Sequence, residues 1–139
     1  MILIVGCDPI DDSLKITNQA STKIYYLYSP YRELVNVYDR TLQEQGISIT
    51  YRNVVEEIDP FKTKREIILG RKDQAWRDYI NSVCEDGRLR IYIFDIDTLK
   101  KYELKFRDVA VNNRFASKIE VTVEDLEKSN WEIRLPLDQ

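Results

Sequence analysis

The stretch Asp73-Gln74-Ala75-Trp76-Arg77-Asp78-Tyr79-Ile80-Asn81-Ser82-Val83-Cys84-Glu85-Asp86-Gly87-Arg88-Leu89-Arg90-Ile91-Tyr92-Ile93-Phe94 sets the fold class, because its two halves repeat with different periods. In the first half Trp76, Tyr79, Ile80 and Val83 fall on one helical face, Asp73 stands at the capping position, and Asp86-Gly87 ends the run. The spacing predicts a helix over about residues 73–86, with Trp76 at the centre of its buried stripe. In the second half Leu89, Ile91 and Ile93 point one way and Tyr92, Phe94 and Ile96 the other. A strand apolar on both faces belongs in the middle of a sheet with cover on each side. A helix beside such a strand predicts an α+β fold.

Outward from this pair, most signals are those of strands. Downstream, Asp97-Thr98-Leu99-Lys100 reads as a hairpin connection into a half-buried antiparallel strand, with Tyr102, Leu104 and Phe106 facing in and Glu103, Lys105 and Arg107 facing out. Ile119, Val121 and Val123 repeat the alternation, a short turn or helix follows through Asp125 and Leu126, and Trp131, Ile133 and Leu135 form a last strand. Upstream, Arg65 to Gly70 is a short apolar run of strand type, and a long strand is expected from Ile47 to Ile58, stopped by Asp59-Pro60. Lys23 to Tyr28 is β-branched and aromatic, hence a strand. Ser29-Pro30 closes that strand and opens a second predicted helix over about residues 30–45, carried by Tyr31, Leu34, Val35, Tyr38 and Leu42 and ended by Gly46. A strand through Leu34 to Tyr38 turning at Gln45-Gly46 is the competing reading there. The expected architecture is a mainly antiparallel sheet with these helices, in one domain covering 1–139.

The composition is that of an ordered globular chain, with 43% hydrophobic and 32% charged residues and only 4 Gly and 4 Pro. A net charge of -3 carries no global basic excess, so nucleic acid is not an expected partner. Cations gather locally at Lys62, Lys64, Arg65, Arg71, Lys72 and Arg77 against Glu66 and Asp73, a pattern that more often marks a solvated face than an anion site. No run approaches the roughly 20 apolar residues of a membrane helix. Met1 to Cys7 ends in Gly-Cys in the manner of a lipobox but lacks the charged leader and long apolar region of an export signal, so it reads as a buried first strand. The expectation is a soluble protein, cytoplasmic when synthesised, with Cys7 and Cys84 reduced.

Chemistry-bearing patterns are sparse. With 0 His, the chain lacks Ser-His and Cys-His nucleophile pairs and the commonest metal ligand. Neither cysteine belongs to a Cys-x-x-Cys, and there is no Gly-rich phosphate loop. No cofactor and no metal is therefore expected. Phe94-Asp95-Ile96-Asp97-Thr98 resembles the Asp-x-Asp start of haloacid-dehalogenase-type phosphotransferases, which implies a nucleophile and an acid-base on magnesium. Thr98 stands where that family usually has Gly, and the chain is too short beyond it, so Asp95 and Asp97 read as caps of a hairpin. Ile4-Val5-Gly6-Cys7-Asp8-Pro9 is similar to the first strand of ribonuclease-H-like resolvases, but the spacing of Asp11, Asp12 and Glu33 selects no second ligand, and Asp8-Pro9 reads as a turn.

Tyr25, Tyr26, Tyr28 and Tyr31 crowd one strand and its end, and cannot all face one core. Tyrosines are frequent at protein interfaces, so these four are the candidate interface, with sheet packing as the alternative. Lys64-Arg65-Glu66-Ile67-Ile68-Leu69-Gly70, the helix centred on Trp76, Gly87-Arg88-Leu89-Arg90-Ile91 and the segment through Tyr102 resemble, over residues 62–123, bacteriophage tail-tip proteins of the distal-tail type. The resemblance implies a non-enzymatic structural protein of the virion that assembles into rings through protein-protein contacts. The rival is a small acidic inhibitor or immunity protein that neutralises one partner through Glu120, Glu124, Asp125, Glu127, Glu132 and Asp138. A small metal-dependent phosphatase or nuclease comes third.

Overall fold

Alternation, interrupted once, places the first strand. The computed structural model describes residues 9–35, 51–103 and 105–136. Strand β1 (Ile10–Asn18) buries Asp11, Leu14, Ile16 and Asn18. Asp11 and Leu14 are three apart yet face the same way, because a bulge between them adds a residue and resets the pleat. β1 lies at the centre of a three-stranded sheet, antiparallel to β4 (Thr63–Leu69) and parallel to β7 (Glu132–Leu135). A second, four-stranded sheet runs β3-β2-β5-β6, antiparallel throughout, from β3 (Glu56–Ile58), β2 (Ile24–Ser29), β5 (Leu89–Phe94) and β6 (Ser117–Val121). The fold is α+β with two mainly antiparallel sheets.

The two-faced pattern of β5 has its reason in the layering. Leu89 and Ile91 face the three-stranded sheet, joining Leu14, Ile16, Ile133 and Leu135 in a first core. Helix α1 (Ala75–Ser82) adds Trp76 and Ile80 to that core, and α4 (Val123–Lys128) adds Leu126. On the opposite face of β5, Tyr92 and Phe94 pack with Leu27 against Leu99 of α2 (Ile96–Lys101) and against Phe106, Val109 and Ala110 of α3 (Phe106–Val111). The result is three layers: outer sheet, middle sheet, helices. No helix among the described residues is long and apolar enough to cross a membrane.

Several sequence expectations are corrected. The hairpin at 97–100 and the strand through Tyr102 and Phe106 are instead helices α2 and α3. Asp95 caps α2, its carboxylate accepting from the Asp97 N–H at 3.1 Å, and Phe106, Val109 and Ala110 recur at helical spacing beneath the apparent alternation. Leu104 lies outside the described residues. The long strand expected up to Ile58 is only β3, preceded by a 3-10 turn at Tyr51–Asn53. The helix expected over 73–86 spans Ala75–Ser82, Val83 being exposed at its end. Asp73 does not cap it, since its backbone is left-handed (φ 62°), and the Trp76 N–H donates instead to the Asp11 carboxylate of β1 at 3.0 Å. Helix 30–45 and its competitor lie largely outside the described residues, Leu34 and Val35 being helical. The strand expected at Met1–Cys7 lies outside them altogether.

Candidate functional site

The pleat of β2 divides the tyrosines between the two cores. Tyr26 is wholly buried between the sheets, its hydroxyl donating to the Glu66 carboxylate, and Tyr28 meets Trp76 edge to face with ring centroids 5.6 Å apart. Burial, first, and the Glu66 carboxylate push the Tyr26 hydroxyl far above the ordinary tyrosine range. Tyr25, and Tyr31 just past the strand's end, face the helix side, packed partly buried against the second core. Tyr25 also lines a surface cavity of about 620 Å³. Cations and carboxylates of that cavity already engage one another: Lys23 lies 3.4 Å from Glu57, and Lys64 pairs with Glu56.

The carboxylates singled out in the sequence are likewise occupied or dispersed. Asp95 is a helix cap. Asp11 is buried; desolvation pushes its carboxyl up, but donors from the Ser13 hydroxyl and from the Trp76, Ser13 and Asp73 amides outweigh this and hold it below the usual aspartate range. Asp12 lies 3.8 Å from Lys72. Among the described residues no three His, Cys, Asp or Glu side chains converge as metal ligands. Asp8 and Cys7 lie outside the described residues. Cys84 is buried, and its thiol is pushed up to about 11 by burial.

The acidic C-terminal region is largely neutralised within the chain. Glu120 lies 3.8 Å from Arg88, Glu124 3.1 Å from Lys128, and Glu132 2.7 Å from Arg134. Glu127 pairs with Arg77, and Asp125 forms a reciprocal capping box with Thr122. Asp138 lies outside the described residues.

What stays open is the outer face of the three-stranded sheet. Along β4, Thr63, Arg65, Ile67 and Leu69 point away from the core, and Leu69 pairs with Ile10 of β1. Leu69 is 71% exposed, Ile67 56% and Ile10 45%, three large apolar side chains gathered at one end of the sheet. Beside them Arg65 stands directly opposite Lys15; the Arg65 guanidinium donates to the Asp12 carbonyl at 3.2 Å, and Lys15 acts electrostatically on Glu132. Glu132, opposite Lys15 on β7, is hydrogen-bonded by Thr17 at 2.9 Å and by Arg134. At the turn leading into β4 sits Phe61, 70% exposed with φ of 60°, a left-handed backbone where a turn ordinarily takes Gly or Asn. The Lys62 N–H closes that turn onto the Asp59 carbonyl at 3.2 Å. β4 is an edge strand: on its far side no strand is paired among the described residues.

Sequence reasoning noticed the cations of this region and the strand, but not the face. Ile67-Ile68-Leu69 is apolar at three successive positions, so alternation alone does not say which side is out. No protein family, curated protein or solved structure matches the chain.

Proposed function

We propose that this chain is a structural or assembly protein that acts by binding another protein and carries out no reaction of its own. The observation that carries the reading is the exposed row of Ile67 and Leu69 with Ile10 at one end of a sheet edge. Contiguous apolar surface of this kind is unfavourable in water, and edge strands are ordinarily blunted unless they pair. The ring-forming tail-tip role is the narrower form of this proposal and rests on the pattern in residues 62–123. The rival reading, an acidic inhibitor of a basic partner, draws less support, because the carboxylates it would use already have partners within the chain.

The test is size. Purified from its native source, the chain should travel in a complex of fixed stoichiometry, and the Ile67→Lys, Leu69→Lys double variant should elute alone with an unchanged melting temperature. A parent chain that elutes alone, or a variant that stays in the complex, overturns the proposal.

A further inference from the structure

Resting on that reading, we infer that the partner binds as an extended segment added alongside β4, carrying apolar residues beside Ile67 and Leu69 and a carboxylate beside Arg65. Strand addition supplies main-chain hydrogen bonds, and specificity then comes from alternate side chains on one face. On β4 that face reads Thr63, Arg65, Ile67, Leu69, a polar and cationic half followed by an apolar half. An added strand places its own alternate residues about 5 Å from these, close enough for each pair to be felt.

The charge on the face selects the chemistry of the occupant. Lys15, opposite Arg65, has Glu132 as a counter-charge on its other side, whereas Arg65 is in no ion pair among the described residues and its guanidinium donates to the Asp12 carbonyl at 3.2 Å. Lys62 lies at one end of β4 and Arg71 just past the other. A second copy of this chain added about a two-fold axis presents the same face, which holds no carboxylate, and so brings Arg65 no counter-charge. A segment of a different protein whose alternate residues, on the side shared with this face, are acidic at one end and apolar at the other meets both the cationic and the apolar half. An anionic membrane would meet the charge and the apolar side chains, but would leave the polar backbone edge of β4 unpaired.

The experiment uses the full chain, isotope-labelled, titrated with an end-blocked peptide of about eight residues that carries threonine at every other position and, at the positions between, two glutamates followed by two valines. Amide shifts should cluster on β4, and affinity should fall about tenfold as salt is raised through the range where surface charges become screened. The same peptide with lysine in place of both glutamates should not bind. Arg65→Glu should reverse the preference between the two peptides, an outcome that a misfolded variant does not produce. Failure of the parent to bind the glutamate peptide, equal binding of both peptides, or shifts on β4 only with anionic phospholipid vesicles would each overturn the inference. If the glutamate peptide is ignored while Ile67→Lys, Leu69→Lys still disrupts the native complex, this inference fails and the contact reading stands.

Discussion

Trp76 is held by its indole nitrogen as well as by its ring. The Nε1–H is shared between the carbonyls of Asp11, at 3.1 Å, and Glu66, at 3.2 Å, which ties α1 to both β1 and β4 beside the bulge. Trp76→Ala should lower unfolding free energy by about 3–5 kcal/mol in a denaturant titration, and Trp76→Phe, which keeps an aromatic ring but strands two buried acceptors, by about 1–3 kcal/mol. A neutral Trp76→Phe would show that the shared hydrogen bond contributes nothing. Glu66 shows the opposite balance. Burial, its largest influence, raises the Glu66 carboxyl above the ordinary glutamate value against the pull of the Tyr26 hydroxyl and Lys64. With a folded pKa above the unfolded one, the native state binds the extra proton, so this group's contribution falls as pH rises from the unfolded value toward the folded one. Glu66→Gln can still accept from Tyr26. It should match the parent in stability at acid pH and exceed it at neutral pH, as read from melts across that range; equal stability at every pH would remove the buried-charge argument. Phe61 illustrates strain at the surface. Phe61→Gly relieves a left-handed backbone and should leave stability unchanged or raise it by up to about 1 kcal/mol, while weakening the native complex if Phe61 belongs to its contact surface.

Elements that were legible in the sequence are those whose period is unbroken and whose two faces differ. Trp76, Tyr79 and Ile80 fix α1, the double-sided pattern of Leu89 to Phe94 fixes β5 as internal, and Ile119, Val121, Ile133 and Leu135 give β6 and β7. β1 was illegible for a physical reason: its bulge breaks the alternation, and two of its inward residues, Asp11 and Asn18, are polar groups whose hydrogen bonds come partly from their own neighbours and partly from distant segments of the fold. Asn18 donates to the carbonyls of Thr22 and Ile58 at 2.8 and 3.0 Å. Helices α2 and α3 were read as a hairpin and strand because six residues make fewer than two turns, too short for helical spacing to outweigh a chance alternation. The face holding Ile67 and Leu69 was hidden because only the packed structure distinguishes it from Ile68. At this scale the capping of α2 is open to test. Asp95→Ala removes the acceptor for the Asp97 N–H and should destabilise by about 0.5–2 kcal/mol, whereas Asp97→Ala, which removes no cap, should cost distinctly less. Equal losses at the two positions would mean that the helix does not depend on its cap.

Across the whole molecule, the middle sheet belongs to two cores at once. Ile91 and Tyr92 are consecutive residues of β5, yet the first packs toward Trp76 and the second lies in the cluster of Phe94, Phe106 and Val109. Neither outer layer can leave without exposing one face of β5 and β2, so loss of the helix layer should weaken the packing of the outer sheet as well. Cys84 senses this from the first core, where burial both pushes its thiol up to about 11 and shields it from reagents. A buried thiol is labelled through opening of the native state, so its rate under weak labelling follows the open population. In a Cys7→Ser background, Phe106→Ala, a truncation in the second core alone, should cost about 3–5 kcal/mol and accelerate Cys84 labelling by about two to four orders of magnitude. The acceleration should match the stability lost in a denaturant titration, as a single cooperative unit requires. If Phe106→Ala lowers the titration midpoint but leaves the labelling rate of Cys84 unchanged, the helix layer opens by itself and the two cores are separate units that share a strand.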